Sequence, residues 1–168
     1  MQISVFYHHI LQAQLKSGRP LMEMLRRVRS WGVEGVYPDL HTLLADFSGT
    51  MAQLKDADLV VSGICETFHW EQAFSADDAK KLVDTAVLCG TSNVFVVPGF
   101  LPKNDADILR DLNDAEEISA FMEENEAVQA MKQALQYTVA YADERGVAVS
   151  LEDYDGWTAP YSKLAELQ

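Results

Sequence analysis

Glu152 closes a short apolar run, Val147-Ala148-Val149-Ser150-Leu151, and Asp153 and Asp155 follow it closely. A carboxylate at a strand end can accept a proton, return it, or ligate a cation. A second group follows the apolar run of residues 58–64 and contains Glu66, His69 and Trp70. An imidazole beside an aromatic ring suits a sugar, because the ring covers C–H faces while polar groups reach hydroxyls. His8 and His9 close the first apolar run, residues 3–7, and are candidates for binding substrate hydroxyls there. His41 reads as a helix-surface residue, and Asp153 and Asp155 as supporting or loop residues. The two cysteines, Cys65 and Cys89, lack CxxC spacing and read as ordinary buried thiols.

Five apolar strands must position these groups. They are read at residues 3–7, 33–37, 58–64, 93–97 and 147–151. Pro20 opens a helix whose apolar face is Leu21, Met24, Leu25, Val28 and Trp31, and Gly32 stops it. Residues 40–57 suggest two short helical pieces broken at Ser48-Gly49. Ser75 with Asp78 matches a capping box ahead of Ala79, Leu82, Val83, Ala86 and Val87. Residues 103–126 carry nine acidic side chains against Lys103 and Arg110, and read as an acidic insertion: an extended loop with a short helix, or a surface lid. A long amphipathic helix follows through Val128, Met131, Leu135, Val139 and Ala142, and Pro160 opens another. The first four strand-helix units recur about every 30 residues, the size of a βαβ element. Apolar strands of this kind need cover on both faces, so the sheet is parallel and chemistry sits at the carboxyl ends of its strands. No GxGxxG follows the first strand and no GxxxxGK[ST] occurs, so dinucleotide and P-loop chemistry lose their usual support. The uniform units favour a (β/α) barrel over an open sheet.

The formal charge of −13 repels phosphate backbones and disfavours nucleic-acid partners. The one basic cluster, Arg26, Arg27 and Arg29, reads as a solvated helix face. No apolar segment approaches the roughly 20 residues that span a bilayer, and no run has the form of a secretory signal. The expectation is one partial barrel domain over residues 1–168, in the cytoplasm, with no membrane partner.

The strand ends FYHH, SWGVEGVYPD, LVVSGICETFHW, NVFVVPG and GVAVSLEDYDGW, in this order, resemble the first five units of the xylose isomerase-like barrel superfamily, the sugar phosphate isomerase/epimerase group. The resemblance covers essentially the whole chain. It implies an α/β TIM-barrel fold truncated to about five of eight units. It also implies that Glu152 ligates a divalent metal, Mn, Mg, Co or Zn, and takes part in catalysis. The family's other ligands come from strands six to eight, which this sequence does not contain. The asparagine and second glutamate of the ketose 3-epimerase branch are unmatched near Asp155, Gly156 and Thr158, so that branch is not assigned.

The activity so implied is metal-dependent isomerisation or epimerisation of a small sugar or sugar-like substrate, by proton abstraction beside a carbonyl. It is expected only in a completed barrel, because five strands leave open edges and uncovered apolar faces. Completion is expected from a missing C-terminal half, from self-association as a homo-oligomer, or from another chain. Alternatives are a dehydratase or aldolase on the same scaffold, and a non-catalytic half-barrel persisting by self-association. A phosphodiester-cleaving endonuclease fits the acidic chain less well.

Overall fold

The ladder of the first sheet begins with three short parallel strands. β1 (Ser4–Phe6) pairs with β2 (Gly35–Tyr37) in the register Ser4↔Gly35, Val5↔Val36, Phe6↔Tyr37. β2 pairs with β3 (Val60–Val61) as Gly35↔Val60 and Val36↔Val61. The pairing continues past β3, with Ser62 N–H donating to the Val36 carbonyl at 2.9 Å and Cys65 N–H to the Pro38 carbonyl at 3.0 Å. Cys65 then faces Asp39 in a parallel bridge. From Val61↔Val36 to Cys65↔Asp39, four steps on one strand match three on the other, so one extra residue is accommodated near Gly63. The single third strand expected over residues 58–64 is therefore divided here, and β4 (Ile64–Thr67) resumes beyond the bulge. A second sheet has the order β4-β5-β6, with β5 at Asn93–Val97 and β6 at Ala148–Leu151. This computed structural model describes residues 2–151; Glu152, Asp153, Asp155 and the helix expected after Pro160 lie outside them.

Helices alternate with these strands. α1 (Tyr7–Ser17) begins directly where β1 ends, and α2 (Leu21–Ser30) follows. α1 has no counterpart in the sequence pattern, because only Tyr7 and Ile10 of it are buried and its second half is exposed. His8 and His9 consequently sit in a helical first turn and not in an extended strand end. α3 (Leu40–Ala45) and α4 (Phe47–Asp56) break at Asp46, earlier than the expected break at Ser48-Gly49. The cause is capping: the Asp46 carboxylate accepts from Gly49 N–H at 3.0 Å and holds both residues in the first turn of α4. α5 (Ala76–Cys89) starts behind Ser75, whose hydroxyl accepts from Asp78 N–H at 3.2 Å.

Residues 103–126 are two helices and not an extended loop. α6 (Lys103–Asp111) buries Ala106 and Leu109, and α7 (Ala115–Glu124) buries Ile118 and Met122. Two apolar residues three or four apart suffice for a buried stripe, and the acids around them masked that signal. Asp114 caps α7 through Glu116 and Glu117 N–H, and Asn125 caps α8 (Glu126–Asp143) through Val128 N–H.

The chain divides into two compact units, Met1–Glu66 with Leu82–Val94, and Thr67–Lys81 with Phe95–Gln168. The first is centred on Leu25, Val36, Leu43, Leu54, Ile64, Leu82, Val83 and Val94, all at 1% exposure or less. The second is centred on Val96, Val97, Leu109, Val128, Met131 and Ala142. The architecture is the expected α/β one, parallel strands alternating with helices. No helix among the described residues is long and apolar enough to cross a membrane.

Burial pushes the Cys89 thiol up to about 11 from 9.0. At a pH below both values the thiolate fraction, and with it the alkylation rate, is expected to be about a hundredfold below that of a free thiol. Cys65 is buried as expected, whereas Cys89 is only half-buried; iodoacetamide labelling in a Cys65→Ser background checks the prediction, and free-thiol reactivity would contradict the partial burial of Cys89.

Candidate functional site

The best-formed group of chemical side chains follows β4, in the second unit. Phe68 N–H donates to the Val97 carbonyl at 2.8 Å and Trp70 N–H to the Pro98 carbonyl at 3.0 Å, which laces the chain to the carboxyl end of β5. Trp70 is buried at 2% exposure, stacked on Phe68 at 4.3 Å and 12°, with Phe74 edge-on at 5.7 Å. Its indole N–H has no hydrogen-bond partner among the described residues.

Glu71 is the centre of this group. Its side chain is only 6% exposed. Oε2 accepts from Phe100 N–H at 3.3 Å, and Oε1 accepts from Gln72 Nε2 at 3.1 Å. Oε1 also lies 3.1 Å from His69 Nδ1. A Cβ at Gly99 would overlap the Glu71 carboxylate and come within 3.0 Å of Met131 Sδ, so glycine is what admits the carboxylate there. An ionised carboxylate only accepts, so Nδ1 carries the proton and Nε2 of the 61%-exposed His69 ring is left to take one. This buried acid orienting an exposed imidazole is a proton-transfer arrangement. Glu71 also lines an open cleft of about 670 Å³ with Pro102, Asp105, Glu124, Asn125 and Glu126.

Two smaller groups lie in the first unit. Glu66, on β4, is 15% exposed and accepts from His41 N–H at 3.2 Å, with His41 Nδ1 at 3.4 Å from the same oxygen. His41 is thus the partner of a strand-end carboxylate as well as an exposed helix residue. His8 and His9 lie edge to face at 4.2 Å, both against Phe6. In the same helical turn, burial and then the Asp46 carboxylate raise the Tyr7 hydroxyl above its ordinary value, against a hydrogen bond from Thr50.

The structure therefore pairs His69 with Glu71, Glu66 with His41, and His8 with His9. Glu71 carried no signal in the sequence beyond its spacing of two from His69, and its burial depends on Gly99, 28 positions away. Glu152 lies outside the described residues.

No family model matches this chain, and no curated protein matches it. Solved structures do. A sugar phosphate isomerase/epimerase from Parabacteroides distasonis is similar at TM-score 0.58 and 12% identity, over 89% of this chain and 50% of that one. A probable 3-DHS dehydratase of petrobactin synthesis from Bacillus anthracis is similar at 0.61 and 14%, over 93% and 53%. A 3-keto-D-glucoside 4-epimerase from E. coli is similar at 0.52 and 15%, over 77% and 49%. The likeness shows the fold, a partial parallel α/β barrel. The chain spans about half the length of the solved barrels it matches.

The resemblance read from the sequence implies a divalent metal. Among the described residues, no group of three or more His, Cys, Asp or Glu side chains is arranged to hold one. These described residues do not form a metal centre by themselves.

Proposed function

We propose that this chain contributes to an isomerase or epimerase acting on a small sugar or sugar-like carbonyl compound. The observation that carries the reading is the His69–Glu71 pair, which follows β4 in a segment laced to the carboxyl end of β5. His69 Nε2 removes a proton from the carbon beside the carbonyl and returns it elsewhere, while Glu71 holds the ring and stabilises the imidazolium. The acidic cleft beside the pair, which Glu71 lines and His69 does not, repels phosphate through Asp105, Glu124 and Glu126. The barrels with sugar-isomerising names support the reading at the level of fold. Glu66, His8 and His9 are proposed as sugar-binding residues of the first unit, whereas Trp70, expected to bind substrate, is buried and packs the second unit behind His69 and Glu71. Glu152 is proposed as a catalytic carboxylate and metal ligand, its companion ligands being supplied from outside this chain.

Proton abstraction beside a carbonyl exchanges that hydrogen with solvent. The completed barrel in D₂O, this chain together with the part that supplies the remaining strands, is therefore expected to incorporate deuterium at the carbon next to the carbonyl of a substrate keto- or aldo-sugar, and His69→Gln to suppress this. A panel of unphosphorylated and phosphorylated sugars that all stay unlabelled would sink the reading. Calorimetric titration with Mn²⁺, Mg²⁺, Co²⁺ and Zn²⁺ tests Glu152 separately; unchanged affinity in Glu152→Gln would remove it as a ligand.

The dehydratase among the similar structures favours a second reading on the same pair. Proton abstraction there leads to loss of water, and an absorbing unsaturated carbonyl product accumulates. Its appearance without isomerised product would favour dehydration.

A further inference from the structure

We propose that α2 of one copy docks on α7 of a second copy, head to tail. Two observations meet here. α2 buries Leu25 and Val28 and turns Arg26 and Arg27 outward. Trp31, at its C-terminal end, is 66% exposed, with the Arg27 guanidinium over its ring at 5.3 Å. Arg29 is tied to Asp58 at 2.8 Å, whereas Arg26 and Arg27 have no ion-pair partner among the described residues. An exposed tryptophan flanked by arginines on a helix has the composition of an interface centre, since these are the side chains that carry most binding energy.

The complementary surface is on the same chain. α7 buries Ile118 and Met122 and presents Glu116, Glu117, Glu123 and Glu124 to solvent. None of these four has an ion-pair partner among the described residues. Glu117, Phe121 and Glu124 fall on one helical stripe, and Phe121 is half-buried. An aromatic side chain between two carboxylates matches an aromatic side chain beneath a guanidinium. The formal charge of −13 opposes random approach of two copies, so only the orientation that brings the arginine face to the glutamate face is attractive. The two patches differ, so the contact is heterologous and produces rings or open chains.

Sedimentation velocity on the whole chain tests this. At about 0.01 M ionic strength, where screening extends over about 30 Å, the average mass is expected to rise with protein concentration; at about 1 M it falls to the monomer. Arg27→Glu with Trp31→Ala, and separately Glu117→Lys with Glu124→Lys, are each expected to weaken association at least tenfold. All four positions are at least partly solvent-exposed, and circular dichroism verifies each fold. Mixing the Arg27→Glu protein with the Glu117→Lys, Glu124→Lys protein restores assembly through the reversed charge pair. A monomer at every concentration in low salt overturns the proposal, as does an assembly that ignores these substitutions or a mixture that fails to recover. Binding of soluble polyglutamate to α2 without self-association likewise overturns it, by replacing the second copy with another acidic partner.

Discussion

Glu71→Leu is expected to lower the rate of solvent deuterium exchange into substrate by about 10²–10⁴-fold, the range of a positioned acid–base group. The reason lies in the hydrogen bonds that the carboxylate collects. Without it, the His69 ring loses the acceptor at 3.1 Å that fixes its tautomer, and Phe100 N–H loses its acceptor at 3.3 Å. Losing that hydrogen bond costs about 0.5–1.5 kcal/mol of stability, so the leucine variant combines a chemical and a structural loss. Glu71→Gln separates them. Its amide oxygen must face Phe100 N–H, which places the amide N–H₂ toward His69. Nδ1 then becomes the acceptor and Nε2 carries the proton, the wrong tautomer for a base. The glutamine variant should therefore unfold near the wild-type urea midpoint and still exchange slowly. Wild-type exchange in both variants would show that the pair does not move the proton.

Glu71 also shows where the sequence stops being informative. β5 was legible because NVFVV is an unbroken apolar run between a polar start and Pro98-Gly99, and α2 and α5 because their buried residues repeat at helical spacing. Such patterns report which face of an element meets the core. They do not report which polar side chains meet across elements. Glu66 and His41 are 25 positions apart and share one oxygen only because β4 resumes beside the start of α3. His69 and Trp70 read as a sugar-binding surface, yet Trp70 is core, and the buried acid beside His69 is Glu71, which the sequence pattern does not single out. The helices of residues 103–126 were hidden for a related reason. Their charge dominates composition, while the two-residue apolar stripe that makes each helix fold is short. α1 was missed because a helix that starts on the last residue of a strand leaves no turn signal.

Gly63→Ala is expected to destabilise the protein by about 1–3 kcal/mol, as overpacking of a close-packed site does. A Cβ at residue 63 would overlap the Tyr37 ring and lie 3.0 Å from the Asn93 carbonyl oxygen. The ring edge and a main-chain carbonyl close the space together, so no single rotamer change relieves both. A lower urea midpoint with unchanged slope is the expected signature. In a Tyr37→Leu background the cost should shrink without vanishing, because the Asn93 oxygen remains; the two substitutions are in contact and will not add. A change within about 0.5 kcal/mol, the range of an indifferent surface site, would contradict the packing at Gly63. The position matters beyond stability because the extra residue near Gly63 shifts the pairing offset from Val61↔Val36 to Cys65↔Asp39. Side chains alternate along a strand, so one residue of slip exchanges the two faces. The bulge decides which face Glu66 presents and therefore whether its carboxylate reaches His41. Overpacking at Gly63 should accordingly disturb the Glu66–His41 pair before the His69–Glu71 pair, whose segment is laced to β5 by its own hydrogen bonds.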